Sequence, residues 1–182
     1  SRKRLSICYA APGQNLLPSA GPTRNVLNVA NALSQWADVT VAFRNICEPI
    51  CTGQYKVVAI EPRRVSMGTA KDDNATRGLY PWQHLLYCRT LSSFSRQQAS
   101  SYDVVLEKGW RLSGYLLDRF RRNGVPGVLI ENDVRFWTEP LTNLEGVAKY
   151  ILHSTAHWVA GRSSRRAPVV IAETQELKSM LV

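Results

Sequence analysis

The sequence predicts an α/β protein with a doubly wound, mostly parallel open sheet and helices on both faces. Three observations lead there. Short apolar runs rich in β-branched residues recur along the chain, among them LSICYA at 5–10, DVTVAF at 38–43 and YKVVAI at 55–60, as expected of strands covered on both faces. Between most of these runs, apolar residues return at helical spacing. Strand and helix alternate to the end of the chain, the order that produces parallel pairing through right-handed crossovers.

The first strand, Leu5 to Ala10, holds neither Gly nor Pro. Beyond a loop, Pro22 has the fixed φ suited to a first helical position, and Val26, Val29, Ala30 and Leu33 then share one helix face. Gly21 leaves room for a ligand to approach the backbone at the positive end of that helix, where an anion is favoured. A sharp helix entry without any ligand explains the same Gly-Pro pair. Asp38 to Phe43 and Tyr55 to Ile60 are the second and third strands. Residues 61–78 are polar and irregular, with Arg63, Arg64, Lys71 and Arg77, and a loop of that length suggests function.

From Leu79 to Ala99 the pattern predicts a helix packed through Trp82, Leu85, Leu86 and Phe94, with Arg89 and Arg96 on its wet side. Tyr102 to Glu107 is the fourth strand. Leu112, Tyr115, Leu116 and Arg119 line a helix that stops at Asn123 and Gly124. Val125 to Glu131, a helix from Glu139 and Pro140 toward Trp158, the basic segment GRSSRRA and a strand from Pro168 to Ala172 complete the order. Open sheets of this kind bind ligands beyond the carboxyl ends of their strands, which selects residues 12–24, 107–111 and 131–135.

With 182 residues, 45% of them hydrophobic, the chain suits a single domain with a sizeable core. No apolar run approaches the ~20 residues of a membrane span, and the run after the SRKR start is too short for a secretory signal, so a cytoplasmic protein is expected. Cys8, Cys47, Cys51 and Cys88 form no dense framework, which favours reduced thiols. Lys and Arg number 23 against 14 Asp and Glu, a formal charge of +9. That excess favours nucleic acid, a membrane surface or phosphorylated ligands as partners.

Several chemistries lack their motifs. The dinucleotide fingerprint needs clustered glycines and an acid after the second strand, but Gly13 and Gly21 are far apart and Arg44 follows Phe43. Neither a Gly-Lys-Ser/Thr phosphate loop nor a Gly-x-Ser-x-Gly elbow occurs. Cys47 and Cys51 with His84 and Cys88 have zinc-like spacing. They flank a strand and a long loop, so ordinary packing is the expectation, with no metal. His153 and His157 share a helix face without the glutamate of a metalloprotease.

Three segments, PSAGPTRNVLNVANALSQWADVTVAF, YDVVLEKGWRLSGYLL and VPGVLIENDVRFWTEP, together resemble the amino-terminal half of a B-type, two-domain glycosyltransferase of the retaining group 1, or family 4. The resemblance implies a Rossmann-like domain over residues 1–182 that forms the acceptor side, with the second domain absent from this chain. It also implies transfer of a sugar from a nucleotide diphosphate donor to a carbohydrate or lipid-linked acceptor, commonly without a bound metal or other tightly held cofactor. On that pattern Ala20, Gly21, Thr23 and Arg24 approach the donor and border the acceptor cleft. Glu107, Lys108, Trp110, Glu131 and Asn132 stand at the later strand ends. Many members carry a histidine where Glu131 and Asn132 lie, so the catalytic residue is unassigned and Glu131 is the nearest candidate. Glu131 and Glu139 imitate the family's paired glutamates, but that pair belongs to the second domain.

An anionic acceptor or an anionic membrane surface is the expected partner of the excess charge. Arg111, Arg119, Arg121 and Arg122 accompany Trp110, Tyr115 and Phe120, and Arg162, Arg165 and Arg166 form a second cluster. Aromatic and basic residues together suit lipid headgroups, although a solvated helix face packed by its apolar residues is the more ordinary account of the first cluster. Nucleic acid is the less favoured partner, since no recognition motif is present. A stand-alone binding module for nucleic acid or phosphorylated ligands is the alternative to the transferase, and a small-molecule enzyme of another doubly wound family is a third reading.

Overall fold

The computed structural model describes residues 3–48, 50, 54–61, 81–131, 147, 150–151, 154–155, 158, 161–162 and 165–172. Its elements are β1 (Leu5–Ala11), α1 (Gly21–Ser34), β2 (Ala37–Phe43), β3 (Lys56–Ala59), α2 (Pro81–Gln98), β4 (Val104–Lys108), α3 (Tyr115–Arg122), β5 (Gly127–Glu131) and β6 (Val169–Ala172). The strands form one sheet in the order β3-β2-β1-β4-β5-β6, and all five pairings are parallel. The chain runs outward from β1 to β3, then crosses back to β4 and runs outward the other way. The order therefore reverses between β1 and β4, where the loops leaving the two strands diverge and open a crevice.

Both faces of the inner strands β1, β2, β4 and β5 are covered, which is why they read as unbroken apolar runs, whereas Val169 and Ile171 of the edge strand β6 are half exposed. Along β1 the side chains alternate between two cores. Ile7, Tyr9 and Ala11 join Val39, Val41 and Phe43 of β2 beneath Val26 and Ala30 of α1. Cys8 and Ala10 join Val105 and Leu129 against Tyr87, Leu91 and Phe94 of α2 and Leu116, Leu117 and Phe120 of α3. Phe120 makes edge-on contacts with Phe94 at 6.1 Å and Tyr102 at 6.3 Å. A Cβ at Gly127 would run into Leu117 and the Val105 carbonyl, so the missing side chain lets α3 settle onto β5.

Local chemistry sets the helix ends. Asn123 closes α3, Gly124 follows with φ of 84°, and Val125 and Gly124 donate their N–H groups to the Phe120 and Arg121 carbonyls at 3.0 Å. This is a Schellman stop, and it needs a residue tolerant of positive φ. Ala20 is the N-cap of α1, so Gly21 rather than Pro22 is its first residue. Leu112 belongs to the turn before α3, although it is buried as expected.

The packed face of α2 differs from expectation. His84, Tyr87, Leu91, Phe94 and Ser95 are buried, while Leu85 and Leu86 are 69% and 45% exposed. Spacings of three, four and three residues put the aromatic and imidazole rings inward and turn the two leucines out. The polar loop beyond Glu61, and the side chain of Trp82, lie outside the described residues. So does the predicted helix start at Glu139 and Pro140, though the described residues from Val147 to Arg162 are helical.

Candidate functional site

Charged side chains are buried where strands end at the carboxyl edge. Arg44 follows β2, Glu61 lies just beyond β3, Glu107 and Lys108 end β4, and Glu131 ends β5; all five are 9% exposed or less. Arg44 donates from Nε to Glu61 Oε2 at 2.9 Å, and its guanidinium lies 4.2 Å from the centre of the Tyr87 ring. Tyr87 in turn donates its hydroxyl to the Pro12 carbonyl at 2.7 Å and meets Trp110 edge-on at 5.7 Å. One connected layer thus ties the ends of β1, β2, β3 and β4 to the first turns of α2.

Glu107 anchors the next part of this layer. Its Oε1 accepts from Trp110 Nε1 at 2.8 Å and from the Gly114 N–H at 3.0 Å, and its Oε2 accepts from the Leu117 N–H at 2.6 Å. A carboxylate is thereby held against the first turn of α3, where free N–H groups and the helix dipole favour an anion. Complete burial nevertheless pushes the carboxyl up to about 7, helped by nearby Glu131 and opposed by those three hydrogen bonds. Two glycines allow the close approaches. A Cβ at Gly13 would stand 2.6 Å from Trp110 Cβ, and one at Gly109 would strike the Glu131 carboxylate.

On the α2 side, Arg111 points an NH1 at His84 Nε2, 3.2 Å away. Burial, then the charges of Arg111 and Arg44, lower the imidazole to about 4. Among the described residues, four buried side-chain polar atoms have no hydrogen-bond partner: Gln14 Oε1, Asn45 Oδ1, His84 Nδ1 and Arg119 Nε. The first three stand at the carboxyl edge, on the loops after β1 and β2 and in the first turn of α2. Buried polar groups are paired in more than nine cases of ten. The carboxyl edge thus holds two amide oxygens and one ring nitrogen with unmet hydrogen-bonding capacity among the described residues.

The residues expected at the start of α1 are joined to this edge by hydrogen bonds. Ala20 caps the helix with its carbonyl, which accepts from the Arg24 N–H at 3.0 Å. Gly21 is exposed, and a Cβ there would meet nothing within 4 Å. Thr23 is fully buried and donates to the Asn15 carbonyl at 3.3 Å, while the Asn15 side chain accepts from Asn45 Nδ2 at 3.1 Å. Arg24 is exposed and donates to the Pro18 carbonyl at 3.2 Å. Glu107, Lys108, Trp110 and Glu131 gather at the ends of β4 and β5; Asn132 lies outside the described residues. The sequence reading overlooked Arg44, Glu61 and Tyr87 and weighed His84 only for zinc. A charge set directly behind an apolar strand, as in Phe43-Arg44 and Ile60-Glu61, was the available signal.

The first basic cluster is less open than its composition suggested. Phe120 is fully buried, Trp110 and Tyr115 pack against the core, and Arg121 and Arg122 pair with Asp118 at 3.2 and 2.9 Å. The second cluster faces outward: Trp158, Gly161, Arg162, Arg165 and Arg166 line an open cavity of about 440 Å³. No helix among the described residues is long and apolar enough to cross a membrane.

No family model and no curated protein matches the chain. Solved structures share its fold. UGT2 of Phytolacca americana, complexed with UDP-2-fluoro-glucose and pterostilbene, aligns with TM-score 0.55 and 11% identity over 96% of this chain and 48% of that one. A UGT transferase from Siraitia grosvenorii in complex with UDP aligns with TM-score 0.54 and 13% identity, over 98% and 47%. The chain thus spans about half the length of either protein. The likeness is one of fold, and this chain is a Rossmann-like α/β domain of the architecture found in both.

Proposed function

We propose that the chain is the amino-terminal, acceptor-side domain of a retaining glycosyltransferase that moves a sugar from a nucleotide diphosphate donor to a carbohydrate or lipid-linked acceptor. The observation that carries this reading is the group of unpartnered polar atoms, Gln14 Oε1, Asn45 Oδ1 and His84 Nδ1, at the carboxyl edge of the sheet. A sugar phosphate carries hydroxyls that donate, for the two amide oxygens, and oxygens that accept, for the ring nitrogen, so such a ligand suits atoms of both kinds. The resemblance of the loop-helix after β1 and of the later strand ends to group 1 glycosyltransferases supports the type of chemistry. So does the fold shared with two proteins whose structures contain UDP or a UDP-sugar.

In this reading the domain positions and shapes. Glu107 holds the Trp110 indole as a wall of the crevice, and Gly21 and Arg24 border the donor where the start of α1 favours phosphate. Glu131, buried at the end of β5 where many members of the group carry a histidine, is the catalytic candidate on this side of the crevice. A second, following domain supplies the remaining donor contacts. The exposed Trp158 beside Arg162, Arg165 and Arg166, with Tyr150 and Ile151 also exposed earlier in the same segment, supports peripheral contact with an anionic leaflet on the cytoplasmic side.

The test takes the full-length natural protein, measures nucleotide release from a panel of nucleoside diphosphate sugars, and reads the product's anomeric configuration by proton NMR. Gly21→Val should cut turnover without unfolding, because nothing in the fold occupies the space beside Gly21. Release from no donor, together with salt-sensitive binding of single-stranded nucleic acid, would replace the transferase by the binding module. Product of inverted configuration would remove the retaining mechanism alone.

A further inference from the structure

His84 is 4% exposed and sits in the first turn of α2. A guanidinium only donates hydrogen bonds, so Nε2, which faces Arg111 NH1 at 3.2 Å, must offer its lone pair. The proton of the neutral ring then resides on Nδ1. That nitrogen is buried and has no acceptor among the described residues. Tyr87, one turn further along α2, is fastened to the Pro12 carbonyl and to Trp110, so the imidazole is held at the crevice edge beside the loops leaving β1 and β4. The two side-chain charges that act on the ring, Arg111 and Arg44, are both positive, although Arg44 is also paired with Glu61. No acidic residue stands in the first turn of α2, and the amino-terminal end of this 18-residue helix adds its dipole.

We propose that His84 is a ligand-binding residue whose Nδ1–H donates to a phosphate oxygen, with Arg111 fixing the tautomer and adding positive charge. This deepens the glycosyl-transfer reading and rests on it only for the identity of the phosphate's carrier, which is the donor's diphosphate or a phosphorylated acceptor. A neutral imidazole suits the task because it donates one directed hydrogen bond without the desolvation cost of a second buried cation.

The test uses this chain with ¹⁵N-labelled histidine. At neutral pH the long-range ¹H–¹⁵N spectrum should show His84 protonated on Nδ1 and bare on Nε2. Inorganic pyrophosphate and glycerol 3-phosphate are titrated separately, and the Nδ1 signal should move with at least one. Tighter pyrophosphate binding points to the donor, and tighter phosphomonoester binding to the acceptor. His84→Asn, whose amide nitrogen replaces Nδ1, should keep the affinity within about threefold, whereas His84→Gln, whose amide reaches the Nε2 position, should lose about tenfold or more. An Nε2-protonated ring, no Nδ1 response to either probe, or equal affinities of the two variants would overturn the proposal. The wild-type spectrum decides even where a variant fails to fold. Phosphate binding without sugar transfer by the full-length protein would keep this site and remove the transferase, and transfer without an Nδ1 response would do the reverse.

Discussion

Replacing Glu107 by Gln should change how stability depends on pH, and the structure sets both sign and size. The buried carboxyl is pushed from its ordinary 4.5 up to about 7. Below pH 4.5 it is protonated in both folded and unfolded chains. Between 4.5 and 7 the folded chain keeps a proton that the unfolded chain releases, so stability falls as pH rises; above 7 the effect is complete. At about 1.4 kcal/mol per pH unit the span amounts to about 3 kcal/mol. His84 acts oppositely. Lowered from 6.5 to about 4, it makes stability rise between pH 4 and 6.5, by less than the full span because solvent screens part of the effect.

In the wild type these two slopes oppose each other between pH 4.5 and 6.5. Glu107→Gln unmasks the rising slope of His84, and His84→Gln unmasks the falling slope of Glu107. The amide also brings a donor against one of three donors, an offset of about 1–3 kcal/mol that does not vary with pH. Urea unfolding of wild type and Glu107→Gln at intervals from pH 4.5 to 7.5 gives the difference directly, because other carboxyls cancel between the two proteins. The variant should gain about 3 kcal/mol on the wild type across that range. A constant difference would mean that the carboxyl is not raised. A loss in place of a gain would mean that the hydrogen bonds from Trp110, Gly114 and Leu117 outweigh burial.

Three further outcomes follow from the same geometry. Arg44→Met should cost about 3–5 kcal/mol by leaving Glu61 charged and buried, and Arg44→Met with Glu61→Leu should recover much of it, a coupling read from urea midpoints. Gly13→Ala should destabilise by about 1–3 kcal/mol, since its Cβ meets Trp110 Cβ at 2.6 Å, and quenching of Trp110 fluorescence by acrylamide should increase as the indole shifts. On anionic vesicles, Arg165→Ser with Arg166→Ser should weaken co-sedimentation by about 2 kcal/mol at about 1 kcal/mol per residue, whereas Arg121→Ser with Arg122→Ser should act less because Asp118 already pairs with both. Equal binding to neutral and anionic vesicles would remove the membrane contact.

The strands and their succession along the chain were legible in the sequence because parallel strands leave short apolar, β-branched runs, from LSICYA to PVVIA, while their order in the sheet came from the structure. The stop of α3 was legible too, since Asn123 and Gly124 meet a local backbone requirement. Both depend on residues close together in the chain. The phase of α2 did not, because two exposed leucines look as apolar as the buried Tyr87, and only contact with Pro12 and Trp110 turns that ring inward. Arg44 meets Glu61 across 17 residues, Arg111 meets His84 across 27, and Tyr87 reaches Pro12 across 75. Such partners carry no spacing rule. Sequence alone thus determined which loops could bear a site, by ending strands beside them. Tertiary structure decided which side chains satisfy one another there, and so which atoms are left for a ligand, because hydrogen-bond partners are chosen by distance in space.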